Sequence, residues 1–320
     1  MLSHMEYYSI LPAPIFWTFA TILALLVVGS ALAFILPKIK PNKWDDLVPR
    51  MRSWWVMCFI VFGALALGRL ATTLVFAFIS YLALKEYMTL APTRKEDRWV
   101  VLFSYLMIIP TYIMVYKEEY IMFLIFLPFY GFIATAVMMA FTRRTEKFLK
   151  TIGIVQLGSI ACIYMLAYIP LLLCMPPEEM PASGGVGLIL LLLFLTQFND
   201  VSQYMWGKMF GRHKISPNIS PNKTWEGFIG GVVSTLILFY FLAPYFLNIG
   251  LAATLFIGAS LPVIGFFGDI TMSAIKRDLN VKDTSRLIPG HGGVLDRVDS
   301  IIFTAPWFFH MLAFFVFDGI

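Results

Sequence analysis

The chain has 320 residues, of which 59% are hydrophobic and only 13% are charged, and its mean hydropathy is +0.80. This balance excludes an ordinary soluble domain and indicates a polytopic membrane protein. The formal net charge is +5, but the positive residues are divided among several loops and form no single basic stripe, so no nucleic-acid partner is expected.

The distribution of Lys and Arg predicts how the chain lies in the membrane. All but Arg69 and Lys117 of the 24 Lys and Arg fall within five segments: residues 37–53, 85–98, 142–151, 207–226 and 276–299. Positive residues are retained on the cytoplasmic side of a membrane. We therefore expect an integral protein of the cytoplasmic (inner) membrane, with these five segments facing the cytoplasm.

Apolar segments long enough to cross a bilayer recur along the chain. Single spans are predicted at residues 15–36, 99–115, 120–141, 152–173, 186–206, 227–247, 251–275 and 301–317. The turn at Lys117 to Glu119 and the loop at residues 176–179 are predicted to lie outside. The remaining apolar stretch, residues 54–84, is too long for one untilted span and short for two full ones.

Basic segments flank the 54–84 stretch on both sides, which favours a hairpin of two short helices turning near residues 63–69. Arg69 would then face the opposite surface. The expectation is an all-α polytopic membrane fold with nine or ten transmembrane helices. Residues 1–185 would form a variable half and residues 186–320 a catalytic region, together making one integrated membrane domain.

Polar residues concentrate at 273–299, SAIKRDLNVKDTSRLIPGHGGVLDRVD, between two apolar segments. Asp269 lies inside the preceding apolar segment, while Asp296 and Asp299 open the next one. Those two are three residues apart and share one face if they are helical. With Lys and Arg all around, the economical partners of these carboxylates are a divalent cation and phosphate oxygens. The stretch predicts a metal and phosphate site.

Asp200 and Asp269 each lie about six residues from the cytoplasmic end of a predicted span, which is about 9 Å of helix. Their side chains are therefore predicted to meet at one depth. Ionisable groups inside spans are costly and mark functional sites by default. The structural alternative is a carboxylate neutralised by a neighbouring Lys or capping a broken helix.

A set of positions in this stretch resembles, in order and spacing, the signature of the CDP-diacylglycerol synthases, the phosphatidate cytidylyltransferases. They are Ser273, Ile275, Lys276, Arg277, Lys282, Asp283, Ser285, Ile288, Pro289, His291, Gly292, Gly293, Val294, Asp296, Arg297, Val298 and Asp299. The resemblance extends upstream through Asp200, Tyr204, Gly207, Lys208, Gly211, Arg212 and residues 220–227, SPNKTWEG. It covers roughly the last 130 residues. The first 185 residues resemble this family only in being membrane helices.

The resemblance implies a phospholipid-biosynthetic enzyme that transfers a cytidylyl group from CTP to phosphatidate, giving CDP-diacylglycerol and pyrophosphate. Mg²⁺ would be the cofactor, with a second cation such as K⁺ as a further candidate. Asp269 and Asp296 fall where the magnesium-binding aspartates of the family are expected, and Asp200 is an additional candidate ligand. Lys276 and Arg297 complete the catalytic set. The active site would face the cytoplasm, membrane lipid would surround the protein, and a homodimer is a candidate assembly.

Candidate substrate-binding residues are drawn from the polar and glycine positions of the two motif regions. They are Asp200, Lys208, Arg212, Ser220, Asn222, Lys223, Thr224, Glu226, Arg277, Lys282, Asp283, His291, Gly292, Gly293 and Asp299. Lys223 stands out because a turn rich in Ser and Pro enters a helix near Thr224, where free amides suit a phosphate. Gly227, Gly230 and Gly231 are better explained by helix packing. For His291, substrate contact and a structural hydrogen bond both remain open.

Other functions share some of these features. A cytidylyltransferase or kinase acting on a different lipid would use nearly the same residues. An ion-coupled transporter could use Asp200 and Asp269 as an ion site, but it predicts a repeat symmetry that the sequence lacks. The pattern of CDP-alcohol phosphotransferases is absent. Gln203 stands where the resemblance leads us to expect a small residue.

Overall fold

The computed structural model describes residues 13–39, 47–142, 145–175 and 184–316, which form a helical bundle. Its helices are α1 (Ala13–Ile39), α2 (Leu47–Ala66), α3 (Arg69–Leu90), α4 (Arg98–Leu106), α5 (Ile108–Lys117), α6 (Tyr120–Ile125), α7 (Phe132–Phe141), α8 (Phe148–Ser159), α9 (Leu166–Leu171), α10 (Gly184–Phe210), α11 (Trp225–Phe246), α12 (Leu251–Asp278) and α13 (Leu295–Val316). Two short antiparallel strands, β1 (Lys214–Ser216) and β2 (Ser220–Thr224), join α10 to α11.

Nine helical stretches within the described ranges are long and apolar enough to cross a membrane. Helix α2 is not among these nine, but it also has 20 residues, with Arg50 and Arg52 near its start. The prediction of an all-α polytopic protein with nine or ten spans is confirmed. The strand pair before α11 was not predicted, since only its turn residues were recognised. The external loop predicted at residues 176–179 lies outside the described residues.

Three of the spans are interrupted helices. Helices α4 and α5 are separated at Met107, while π-helical segments Phe126–Gly131 and Ile160–Met165 connect α6 to α7 and α8 to α9. Pro128 lies within the first π segment and lacks a backbone N–H, so a regular helix cannot be completed there. The apolar pattern predicts the length of each span but not these internal turns.

The predicted hairpin is confirmed, with α2 and α3 joined through Leu67 and Gly68. Gly68 has a φ of 94°, a conformation that glycine adopts at little cost. Arg69 donates hydrogen bonds to the carboxylate of Glu118 and to the carbonyl of Val115, so the two turns that were predicted to be external meet at one end. The two helices are longer than expected, because the polar residues at both ends of the apolar stretch are also helical.

The described parts of the basic segments lie together at the other end of the bundle. Hydrogen bonds connect them in three pairs: Ser53 Oγ to the carbonyl of Pro289 at 2.8 Å, Arg94 to the carbonyl of Glu146 at 2.5 Å, and Arg277 to the carbonyl of Ile219 at 3.2 Å. This clustering is what the charge distribution predicts. The last helix begins at Leu295 rather than near 301, so it already includes Asp296 and Asp299.

Helices α10 and α11 pack closely through glycines. A Cβ at Gly230 would lie 2.3 Å from Trp206, and one at Gly231 would lie 2.3 Å from the side chain of Gln203. The packing interpretation of these glycines is confirmed. Gln203 also donates to Asn199 at 3.0 Å, so the unexpected side chain at this position fills the interface between the two helices.

Candidate active site

Three carboxylates gather where α10, α12 and α13 meet near the basic end. Asp200 accepts hydrogen bonds from the Ser300 hydroxyl at 3.1 and 3.3 Å. Asp269 lies on α12, where a Cβ at the neighbouring Gly268 would lie 2.8 Å from the carbonyl oxygen of Asp299 on α13. Asp200 and Asp269 are thus both placed against the first turns of α13, while a direct contact between them stays a prediction.

Lys223 reaches this cluster from the strand pair. It is the penultimate residue of β2, and its ammonium lies 2.5 Å from Oδ2 of Asp269 and 4.5 Å from the centroid of the Phe266 ring. Thr224, the next residue, caps α11 by accepting a hydrogen bond from the amide of Gly227 at 3.2 Å. The short strand and the cap together fix the backbone at Lys223 and so the direction in which its side chain projects.

Lys276 occupies the space between the two acids of α13. Its ammonium lies 2.8 Å from Oδ1 of Asp296 and 3.8 Å from Oδ2 of Asp299. The side chain of Lys276 is 13% exposed and that of Asp296 only 3%. Water and dissolved ions therefore weaken the attraction between these two charges only slightly. The spacing of three residues does place both acids on one face, as predicted.

The second oxygen of Asp296 organises the loop that precedes α13. Oδ2 accepts from the Thr284 amide at 2.8 Å, the Thr284 hydroxyl at 3.0 Å and the Gly293 amide at 2.9 Å. A Cβ at Gly292, whose φ is +79°, would lie 2.7 Å from the same oxygen. The two glycines after His291 therefore allow the loop backbone to approach this carboxylate closely.

Glu86 on α3 is a site residue that sequence reasoning missed. It is 7% exposed and accepts four hydrogen bonds from the same loop, donated by Ser285 Oγ at 2.7 Å, Thr284 Oγ1 at 2.9 Å, Leu295 N at 2.9 Å and Val294 N at 3.0 Å. A Cβ at Gly293 would lie 2.3 Å from Glu86 Oε2. The only available signal was an acid near the end of an apolar stretch.

His291 lies in the bend of the loop, edge-on to Trp54 with ring centroids 5.9 Å apart. Partial burial, together with the positive charges of Arg297 and Arg50, lowers the pKa of His291 to about 4. The ring is therefore neutral near pH 7. Among the described side chains, Nδ1 of His291 and Nε of Arg297 are buried without a hydrogen-bond partner, which leaves polar groups free for a ligand.

Several predicted site residues lie at the rim or serve the local structure. Glu226 accepts from the amides of Arg212 and His213 and from the His213 ring, so it ties the strand pair to α11. Lys208 lies 5.6 Å from the Tyr204 ring. Among the residues predicted to bind substrate, those exposed at the rim of the site are Lys208, Arg212, Asn222, Arg277, Lys282 and Asp283. Ser220 is half-buried. Their roles in substrate binding stay predictions.

The donor set suits a hard divalent cation, since the clustered acids supply only carboxylate oxygens. Within the described ranges, no three His, Cys, Asp or Glu side chains are arranged to hold an ion by themselves. Mg²⁺ usually binds through one or two carboxylates together with substrate phosphates. Asp269, whose Oδ2 pairs with Lys223 and whose Oδ1 accepts from Ser273 at 3.2 Å, fits that mode when the nucleotide supplies the other ligands. Both oxygens of Asp296 are already engaged, Oδ1 by Lys276 and Oδ2 by the loop donors, so Asp296 fits it only when it releases one of these contacts.

Comparison with known proteins gives the relationships of the chain. A model described as the cytidylyltransferase family matches residues 48–315, which extends the likeness well into the first half. Uncharacterized protein YnbB of Escherichia coli (strain K12) is 38% identical over 298 residues, 92% of this chain and 97% of that protein. Phosphatidate cytidylyltransferase of Staphylococcus haemolyticus is 42% identical over 127 residues, 39% of this chain and 48% of that protein. The corresponding Staphylococcus aureus (strain COL) protein is 42% identical over 126 residues, again 39% and 48%.

The match thus spans about half the length of these two phosphatidate cytidylyltransferases, whereas it spans nearly all of YnbB. The family match supports a nucleotidyltransferase over the transporter alternative. The match across residues 48–315, and the identity to a relative that is covered to 97%, give the same conclusion. The chain belongs to the cytidylyltransferase family.

Proposed function

We propose that this protein transfers the cytidylyl group of CTP to phosphatidate, giving CDP-diacylglycerol and pyrophosphate. The observation that carries the proposal is the convergence of two lysines from separate elements, Lys223 and Lys276, on the carboxylates of α12 and α13. Acids and fixed cations mixed at one end of a membrane bundle suit a substrate that carries both phosphates and acyl chains.

The reaction is an in-line displacement at the α-phosphorus of CTP. An oxygen of the phosphatidate headgroup forms the new P–O bond, and the bond from the α-phosphorus to the bridging oxygen breaks. Pyrophosphate leaves with that oxygen and its electron pair. The attacking phosphate oxygen is already ionised near neutral pH, so no strong general base is needed. Catalysis is then mainly positioning and neutralisation of charge.

The cations of the site act on the phosphates. Lys223 and Lys276 stand at the acid cluster, where they orient the nucleotide and balance the charge that develops on the leaving pyrophosphate. Arg297 has a buried Nε without a partner, a donor suited to a phosphate oxygen. Arg212, Arg277 and Lys282 at the rim attract anionic substrates from solution.

Asp269 and Asp296, with Asp200 as a further candidate, would hold Mg²⁺, which would supply positive charge to offset the negative charge of the phosphates. The carboxylates themselves orient Lys223 and Lys276 through the contacts described above. We place the site on the cytoplasmic side of the inner membrane, because CTP is a soluble nucleotide and the clustered positive segments mark that side.

The test is a panel of acceptors with the purified protein in detergent. Labelled CTP and Mg²⁺ are supplied with phosphatidate, lysophosphatidate, a polyprenyl phosphate or diacylglycerol, and pyrophosphate release is measured. The proposal expects phosphatidate to give at least 10 times the rate of each other acceptor. Preferential transfer to another lipid phosphate would keep the family chemistry and contradict the proposed substrate.

A further inference from the structure

Glu86 lies far in sequence from the residues that the proposed reaction uses, yet it contacts their loop. Its buried carboxylate belongs to the first half of the chain. The four hydrogen-bond donors that contact it all come from the 12 residues Thr284 to Leu295. Two of those donors are backbone amides at the start of α13, where a negative charge is favoured by the free N–H groups and the helix dipole.

The hydroxyl of Thr284 lies between two carboxylates. Its Oγ1 is 2.9 Å from Oε2 of Glu86 and 3.0 Å from Oδ2 of Asp296. A hydroxyl has a single proton, which these two acceptors share. The position of Thr284 is therefore set jointly by both acids, and displacing either one changes the hydrogen bond to the other.

Asp296 in turn holds Lys276 through its other oxygen at 2.8 Å. A continuous chain of polar contacts runs from Glu86 through Thr284 and Asp296 to Lys276, and every member except Lys276 is at most 7% exposed. In such buried networks, removing one side chain also shifts the positions of the others that were hydrogen-bonded to it.

We propose that Glu86 is a positioning residue for the cytidylyl transfer, acting through Thr284 on the placement of Asp296 and Lys276. This inference rests on the proposed function for its kinetic consequence only. Glu86 touches no reacting atom. It fixes the loop against α3, and the hydroxyl of Thr284 transmits that position to the carboxylate that holds Lys276.

The structural test is amide hydrogen exchange at single-residue resolution in the full-length protein and its Glu86→Gln variant. Val294 and Leu295 bond directly to Glu86, whereas the amides of Thr284 and Gly293 bond to Asp296. We expect at least 10-fold faster exchange at all four amides. Faster exchange confined to Val294 and Leu295 would show that the effect stops at the loop and would overturn the proposal.

The kinetic test uses Thr284→Val, which removes the hydroxyl with similar shape, beside Thr284→Ser, which keeps it. We expect kcat to fall at least 10-fold for the Val variant and to stay within 3-fold for the Ser variant. A double variant with Glu86→Gln should lose no more than 3-fold beyond the worse single variant. Equal rates for the Val and Ser variants, or losses that multiply in the double variant, would contradict the coupling.

Thr235→Val is the matched control, because Thr235 is buried in α11 and its hydroxyl has no hydrogen-bond partner. Its kcat and its exchange at the four loop amides should match the native protein. If Glu86→Gln does not fold, the Thr284 pair decides the question alone. A native protein without turnover would refute the proposed function, while the exchange comparison would still decide whether Glu86 positions Asp296.

Discussion

Removing the ammonium of Lys276 should destabilise the protein strongly, because two acids depend on it. The charges of Lys276 and Asp296, 2.8 Å apart, attract by about 6 kcal/mol at an effective dielectric constant of 20, and Asp299 lies 3.8 Å from the same ammonium. Desolvation offsets much of this attraction, and removing one partner of a buried pair costs about 3–5 kcal/mol in measured cases. Lys276→Met should therefore lower the melting temperature by roughly 6–10 °C, at about 2 °C per kcal/mol.

The measurement is thermal unfolding in detergent, followed by the loss of monodisperse protein on heating. Lys208→Met makes the same substitution at an exposed position and should shift the midpoint by less than 2 °C. A second variant, Lys276→Met with Asp296→Asn, removes the charge left unpaired on Asp296. It should recover at least half of the lost midpoint while cytidylyl transfer stays at least 100-fold reduced.

Two results would refute this reasoning. If Lys276→Met unfolds within 2 °C of the native protein, the charge pairs contribute little to its stability. If the double variant is no more stable than Lys276→Met, the loss comes from packing of the lysine stem rather than from the unpaired carboxylate.

The remaining predictions concern the loop and the opposite end of the bundle. Gly290 has a φ of +75°, and a Cβ there would lie 2.8 Å from the Arg50 side chain, so Gly290→Ala should lower the melting temperature by several degrees; Gly153→Ala, with nothing within 4 Å, should not. Because folding lowers the pKa of His291 to about 4, its contribution to stability is constant above the unfolded value of 6.5 and declines as the pH falls from 6.5 to about 4. His291→Asn should flatten that part of a melting-temperature profile, and an unchanged slope would contradict the assignment. Arg69→Gln, at the end of the bundle opposite the basic segments, should leave kcat within 2-fold of native, and a larger loss would mean that this end is coupled to the site.

The periodic placement of apolar and basic segments was sufficient to predict most of the fold. Span lengths and the positive-inside rule gave the hairpin around Gly68 and placed Arg69 opposite the basic end. The π segments were not predicted, since these spans are apolar on nearly every face and the shift in helical phase caused by a π turn leaves no mark in such a sequence. Pro128 marks one of these segments, but a proline alone does not distinguish a π turn from a kink.

Most residues of the site could be predicted from the sequence, but few of the contacts between them could. Motif spacing identified Asp269, Asp296 and Lys276, and their partners were found in the structure at ion-pair distance. Glu86 could not be predicted, because its partners lie about 200 residues away and their backbone amides carry no signature in the sequence. Tertiary packing of α3 against the loop determines that contact.

The central claim is cytidylyl transfer to phosphatidate at the cluster around Asp269. The most direct measurement follows CDP-diacylglycerol and pyrophosphate from labelled CTP, phosphatidate and Mg²⁺, with native protein beside a folded Asp269→Asn variant. We expect equimolar products from the native protein and at least a 100-fold loss in the variant. Native protein that forms no CDP-diacylglycerol, or a variant that keeps full turnover, would contradict it.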